Sequence, residues 1–239
     1  MERLFRRLVD AIRVGPVAHP LAGEQDAYPD EAVAYPLDAV KLLSIVYVID
    51  GDSGRVLLGR KSRGFGCGKW NGFGGKYDAT VDRTLHHSAA RELEEESGLR
   101  VPETHLFDPQ SFRRVGVLFY QYPRSMVRDM LEVHVFVCKW QSCEGSIGES
   151  DEMNPIAWFS PQDIPLPLMW ADDPFWLPAL LAVGPKGLFS PNTHIFSGLF
   201  RFFGFDRIKE WSLLSSQEDE DLFKGLADLK HYPSNEGTV

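Results

Sequence analysis

The run Arg91-Glu92-Leu93-Glu94-Glu95-Glu96-Ser97-Gly98-Leu99 constrains this 239-residue chain more than any other. On a helix turning about 100° per residue, Glu92, Glu95 and Glu96 span roughly 100° of arc and project from one face. Three carboxylates so placed repel one another unless a cation lies between them. A hard divalent ion such as Mg²⁺ meets that need, because it prefers oxygen ligands and combines a few carboxylates with substrate phosphates. A solvated acidic face is the commoner fate of a charge run. Two neighbours favour a site here. Upstream, Gly64 to Gly75 is punctuated by glycines, so its backbone can approach a ligand closely. Downstream, Gly98 suits the end of a helix. Thr84 is the expected N-cap of a helix over 85–97, with Leu85, Ala89 and Leu93 as its buried stripe.

Composition narrows the partners. With 44% hydrophobic residues the chain can bury one substantial core. A net charge of −9 argues against a nucleic-acid polymer, whose binding depends on Lys and Arg contacts to phosphates. A small anionic substrate stays compatible if metal ions neutralise its phosphates locally. Cys67, Cys138 and Cys143 lack metal-ligand spacing and read as reduced thiols. No apolar run reaches the ~18 residues of a membrane span. A cytoplasmic monomer is expected. The Arg-rich amphipathic start over 1–15 leaves a nuclear or mitochondrial fraction open, although Glu2, Asp10 and the lack of Ser weaken a presequence reading. A short helix docking on the domain is the other account of that segment.

Three regions follow from patterning: an N-terminal arm over 1–37, a domain over 38–214, and an acidic tail over 215–239 expected to be disordered. Apolar, β-branched runs predict strands over 41–49, 55–61, 111–122, 131–140, 157–159 and 199–205. A second helix is expected over 176–183, started by Asp173-Pro174, with a loop insertion over 187–192. Strands joined by hairpins and interleaved with two helices predict an α/β fold, a mixed sheet covered by helices. His86 and His87 are expected on the solvated side of the first helix, and Trp158 and Phe159 in the core.

Gly75, Arg91-Glu92-Leu93, Glu95-Glu96 and Gly98-Leu99 resemble the Nudix box, GX5EX7REUXEEXGU with U apolar. The second half matches at every defined position. In the first half the interval from Gly75 to Arg91 is two residues longer than the pattern, and Arg83 fills the slot of the first Glu. The longer loop is expected to turn Arg83 outward, with Asp78 or Asp82 partly taking the acid's place. The resemblance extends over roughly 41–212. Gly64 to Lys76, Val133 to Phe136, Glu149 to Met153, Met169 to Asp173 and Phe175 to Pro178 look like the MutT-homologue family that hydrolyses oxidised purine nucleoside triphosphates.

That resemblance implies a Nudix-type α/β/α sandwich and a small-molecule nucleotide substrate. It implies a metal site built from the Gly75 carbonyl, Glu92, Glu95 and Glu96, for Mg²⁺ with Mn²⁺ as a substitute. Glu152 would be a further ligand or the base that takes a proton from water; a solvated acidic loop is the plain alternative for that segment. Arg91 would orient a helix carboxylate; Lys76, next to the glycine turn, is a candidate phosphate contact, with a plain exposed loop lysine as the default alternative. Asn71, Asp172 and Asp173 would read the purine edge, Trp170 would stack on the base, and Phe65 and Tyr120 would complete the apolar walls. Adjacent carboxylates in an apolar pocket disfavour double ionisation, so the pair would hold one proton. The alternative for Asp172-Asp173 is a pair of acids at a helix N-terminus. The expected reaction is hydrolysis to monophosphate and pyrophosphate, which sanitises the nucleotide pool. Two other readings stay open: another nucleoside diphosphate derivative as substrate, or a nucleotide-binding module weakened in catalysis by Arg83.

Overall fold

The structure is a computed structural model that describes residues 40–123, 130–190, 196–204 and 206–215. The expectations for the N-terminal arm and for the acidic tail beyond Ser215 fall outside the described residues. In chain order the elements are β1 (Val40–Ile49), β2 (Val56–Lys61), β3 (Trp70–Asn71), α1 (Leu85–Ser97), β4 (Leu99–Arg100), α2 (Glu103–Leu106), β5 (Phe112–Gln121), β6 (Met130–Lys139), β7 (Glu144–Gly145), β8 (Met153–Phe159), α3 (Asp173–Ala182), α4 (Gly184–Leu188), β9 (Phe196–Phe202) and β10 (Ile208–Ser215).

One mixed sheet dominates, in the order β10-β9-β5-β6-β1-β2-β3, with β8 also paired to β2. β1 runs parallel to β6, and β5 parallel to β9; the remaining pairs are antiparallel. The side-chain period of two sorts β1 onto two faces. Val46 and Val48 pack with Ala89 and Leu93 of α1, while Tyr47 and Ile49 pack with Trp176, Leu177 and Leu180 of α3. Helices thus cover both faces of the mixed sheet that the element pattern predicts, giving the α/β/α sandwich that the resemblance implies. Ala89 and Leu93 are fully buried. Truncating a buried leucine such as Leu93 to alanine typically costs about 2–5 kcal/mol.

β1 and β2 pair only at Val48↔Leu57 and Ile49↔Val56 and then diverge. The glycine segment fills the opening beside β1: Ser44 N–H donates to the Gly75 carbonyl at 2.9 Å, and Val46 N–H to the Phe73 carbonyl at 2.7 Å. The segment that the sequence presents as a ligand-binding turn is therefore fixed by backbone pairing to the centre of the sheet. Helix α1 has the expected boundaries. Thr84 Oγ1 accepts the His87 N–H, and Gly98 takes a left-handed φ of 74° while its N–H closes on the Glu94 carbonyl.

Several expectations change. His86 is not solvated: its ring lies 5.0 Å from Phe136 and 5.1 Å from Phe107, and burial lowers its pKa. The loop insertion over 187–192 begins instead as α4, whose Leu188, with Phe189, joins the core under α3; Pro191 and Asn192 lie outside the described residues. The strand expected over 199–205 starts at Phe196 and ends at Phe202, and β10 follows it in an antiparallel hairpin that the sequence reading omits. The cysteines are free, with Cys138 and Cys143 Sγ atoms 3.2 Å apart. Among the described residues, no helix is long and apolar enough to cross a membrane.

Candidate active site

Gly75 sits directly against the box helix. A Cβ at this position would lie 2.4 Å from Glu92 Oε2, so only glycine lets the turn and the carboxylate meet. One position earlier, Gly74 N–H donates to Glu96 Oε2 at 2.8 Å. The turn is thereby tied to β1 on one side and to two box carboxylates on the other.

Arg91 organises the loop half. Its Nε and Nη2 donate to the two oxygens of Asp82, each at 2.9 Å, and its Nη1 reaches Glu92 at 2.9 Å and Glu95 at 3.1 Å. Asp82 is only 4% exposed, and the Arg91 guanidinium holds its carboxyl below the usual carboxylate range. Arg83 points outward and pairs with Glu103 at 3.3 Å. Asp82, one residue earlier than the box slot, thus supplies the acid that faces Arg91. Asp78 takes a different part: its Oδ1 accepts the Thr80 N–H and hydroxyl, closing a local turn.

The carboxylates expected to share a metal are held here by the protein's own cations. Lys61 Nζ lies between Glu152 (3.0 Å) and Glu96 (3.4 Å), and Arg63 adds a second contact to Glu152 at 3.0 Å. Among the described residues, no three acidic, histidine or cysteine side chains converge closely enough to hold an ion together. Burial pushes Glu96 up to about 7, against the opposing pull of the Gly74 N–H and Lys61. Burial also raises Glu92, whereas the hydrogen bond from Lys61 lowers Glu152.

A cavity of about 770 Å³ opens beside this cluster. Glu92, Glu152 and Lys76 line it together with Phe65, Asn71, Tyr120, Trp170, Asp172 and Asp173. Asp172 and Asp173 are 3% and 2% exposed. Asp172 Oδ2 accepts the Tyr120 hydroxyl at 2.7 Å and the Trp176 Nε1–H at 3.0 Å, while Asp173 Oδ2 accepts the Trp170 N–H at 2.9 Å. Asp172 is the N-cap residue of α3 and Asp173 opens its first turn, so both acids do stand at a helix N-terminus, although Asp172 makes no side-chain cap and turns its carboxylate to Tyr120 and Trp176 instead. Burial raises both acids; the neighbouring Asp172 charge raises Asp173 further, well above the usual range. Two donors favour the ionised form of Asp172, while burial and the adjacent Asp172 charge favour the protonated form of Asp173. Phe65 stacks on Trp170 with ring centroids 5.0 Å apart, and half of its surface stays exposed at the cavity mouth.

Glu95 and Glu96 do not line this cavity: Glu95 is exposed and Glu96 is buried beneath the glycine turn. The structure also brings in residues to which the sequence reading gives no role at the site. Tyr47 donates to Asn71 Oδ1 at 3.3 Å, Lys61 joins the two acidic groups, and Trp176 closes on Asp172. Only Lys61 carries a sequence signal, as a cation at the end of a strand just before the glycine run.

Residues 41–180 match the NUDIX domain family. The chain is 41% identical over 182 residues to a Danio rerio protein named oxidized purine nucleoside triphosphate hydrolase, covering 76% of this chain and 97% of the relative. The Mus musculus protein of the same name is 37% identical over 173 residues, covering 72% and 94%. Among solved structures, the MutT protein from Bacillus halodurans is similar in fold, with a TM-score of 0.52 at 19% identity over 72% of this chain and 97% of that one. Box helix, glycine turn and sandwich therefore agree with the family match, and the chain belongs to the Nudix hydrolases.

Proposed function

We propose that this protein hydrolyses oxidised purine nucleoside triphosphates, of the 8-oxo-dGTP and 2-oxo-dATP type, to the monophosphate and pyrophosphate. The observation that carries this reading is the buried Asp172-Asp173 pair at the wall of a cavity that also reaches Glu92 and Glu152. An ionised Asp172 accepts a hydrogen bond and a protonated Asp173 donates one. An oxidised purine has an altered donor and acceptor edge, and a site that presents both groups side by side can match it. The relatives named above carry the same substrate class in their names.

Nudix hydrolases need divalent metal ions in general; Mg²⁺, with Mn²⁺ as a substitute, is our assignment here. The donor set fits such an ion: Gly75, Glu92, Glu95, Glu96 and Glu152 offer only hard oxygens, and the Gly75 turn leaves no room for a side chain against Glu92. When bound, the ion supplies an activated water and neutralises charge on the phosphoryl oxygens. The protein's own groups do the rest. Trp170 and Phe65, stacked on each other, form an aromatic wall of the cavity for the base, and Asn71 is oriented by the Tyr47 hydroxyl. Lys61, Arg63 and Lys76 line the cavity as cations for the phosphate chain. Glu152, lowered below its usual pKa, is ionised at neutral pH and so able to accept a proton.

With Mg²⁺ present, the purified protein is expected to release pyrophosphate from 8-oxo-dGTP or 2-oxo-dATP far faster than from dGTP. No turnover of either oxidised substrate overturns the proposal. Asp172→Asn and Asp173→Asn should each reduce the preference for oxidised over ordinary purine by about 1–3 kcal/mol, the usual cost of a mismatched buried hydrogen bond. The longer box loop, which motivates a weakened binding module, loses that force once Asp82 is seen to hold Arg91.

Metal binding is expected to depend on pH near neutrality. A carboxylate must be deprotonated to bind a cation. Since burial pushes Glu96 up to about 7, a proton competes with the ion below that pH. Mg²⁺ affinity should therefore fall as the pH drops through about 7, by up to roughly tenfold per unit. Calorimetric titrations on either side of neutrality measure this directly, and equal affinities would contradict it.

A further inference from the structure

Asp206 lies between β9 and β10, beyond the 41–180 span of the family match. Its Oδ1 accepts the Ala171 N–H at 2.9 Å, and its Oδ2 lies 2.5 Å from Lys69 Nζ. Lys69 in turn donates to the Met169 carbonyl at 2.9 Å and sits 5.1 Å above the Trp170 ring. One carboxylate and one ammonium thus tie down three consecutive residues, Met169, Trp170 and Ala171, immediately ahead of Asp172-Asp173. Because the Trp170 N–H donates to Asp173 Oδ2, any displacement of that backbone is passed to the acid.

We infer that Asp206 is a positioning residue for base recognition: reaching over from the C-terminal hairpin, it holds with Lys69 the Trp170 ring and the Asp172-Asp173 pair in register. This rests on the purine-site reading above. Asp206 itself does not line the cavity, so it acts through the loop rather than on substrate. Its negative charge adds to the burial that raises both acids, and so helps to keep the shared proton. Purine selectivity is then set partly by a hairpin that the NUDIX domain match does not include. Misplacing a recognition loop weakens binding without touching the groups that perform hydrolysis.

The test measures KM and kcat for 8-oxo-dGTP and dGTP in the full-length protein. Asp206→Ala is expected to raise KM for 8-oxo-dGTP about tenfold, to leave kcat within about threefold, and to lower the ratio of oxidised to ordinary purine turnover. Asp206→Asn keeps an acceptor for Ala171 but loses the charge opposite Lys69, and should fall between the two. Glu210→Ala is the control, since it removes the 2.8 Å ion pair with Arg201 in the same hairpin and should leave KM unchanged. Wild-type KM and selectivity in both Asp206 variants overturn the inference, as does a Glu210→Ala effect equal to that of Asp206→Ala. If Asp206→Ala does not fold, the near-isosteric Asp206→Asn decides. A wild-type protein that turns over neither oxidised purine overturns the function itself. A selective wild type with unaltered Asp206 variants overturns this inference alone.

Discussion

Asp82→Ala should lower stability and activity together, whereas Arg83→Ala, at the next residue, should change activity only a few-fold. The difference follows from direction rather than charge. Asp82 is buried and accepts two hydrogen bonds from Arg91, whose side chain is itself only 25% exposed. Removing one partner of a buried ion pair leaves the other uncompensated, at a cost of about 3–5 kcal/mol. Glu92 and Glu95 still face Arg91, so the lower end of that range applies. About 3 kcal/mol corresponds to a melting point roughly 6–12 °C lower for a domain of this size. Activity falls because Arg91 also orients Glu92 and Glu95, and a guanidinium released from Asp82 is free to shift both. Arg83 makes one exposed contact to Glu103, and such pairs contribute about 0–1 kcal/mol. The pH dependence gives a second check. Asp82 has a depressed folded pKa, so its contribution is present above the unfolded value and is lost as pH falls through the folded one. The gap in stability between wild type and Asp82→Ala should therefore close in acid, below about pH 4. Equal melting points for Asp82→Ala and Arg83→Ala would refute the assignment.

The same two residues show what the sequence can reveal. Counting along the box places Arg83 in the acid's slot, but a two-residue insertion alters where side chains point, and no pattern carries that direction. Helix α1 is legible to the residue because its limits are local: a threonine that accepts a backbone N–H, a glycine at positive φ, and an apolar stripe between them. β10 and α4 are not, because each rests on contacts that are distant in the chain. β10 pairs with β9, whose other partner is the distant β5, and Leu188 and Phe189 bury in a core that draws on β1, β5 and β6. The candidate site divides in the same way. The box carboxylates follow from helical period, and Asn71, Trp170 and the two aspartates follow from resemblance to a known family. Tyr47 and Asp206 depend on strand register and on a hairpin that returns toward the cavity, so nothing near them in sequence marks them, whereas Lys61 and Lys69 stand beside and within the glycine run but gain their partners only from distant elements. His86 fails for a related reason: the helix face away from the box packs on Phe112 and Phe136 rather than meeting water.

Glu95→Gln should cost activity about a hundredfold or more, roughly 2.7 kcal/mol of transition-state stabilisation, while leaving the fold almost untouched. Glu95 is 58% exposed on its side chain, and its contact among the box residues is a 3.1 Å ion pair with Arg91. An exposed i,i+4 pair contributes about 0.3–0.5 kcal/mol, so the melting point should move by only about 1–2 °C. On the metal site proposed above, its value lies in a negative oxygen on the same helix face as Glu92 and Glu96, which the amide would not supply to a hard divalent ion. Glu94 provides the matched control. It is exposed on the same turn but points away from that face, so Glu94→Gln removes an identical charge from the helix without removing a ligand. Wild-type activity is expected for Glu94→Gln. If the two variants lose activity equally, the effect is one of general helix charge and Glu95 is no ligand. If Glu95→Gln alone fails, and excess Mg²⁺ or Mn²⁺ recovers part of the rate, the loss lies in metal binding. The exposed carboxylate that contributes least to the stability of the box helix is then among those that matter most to its chemistry.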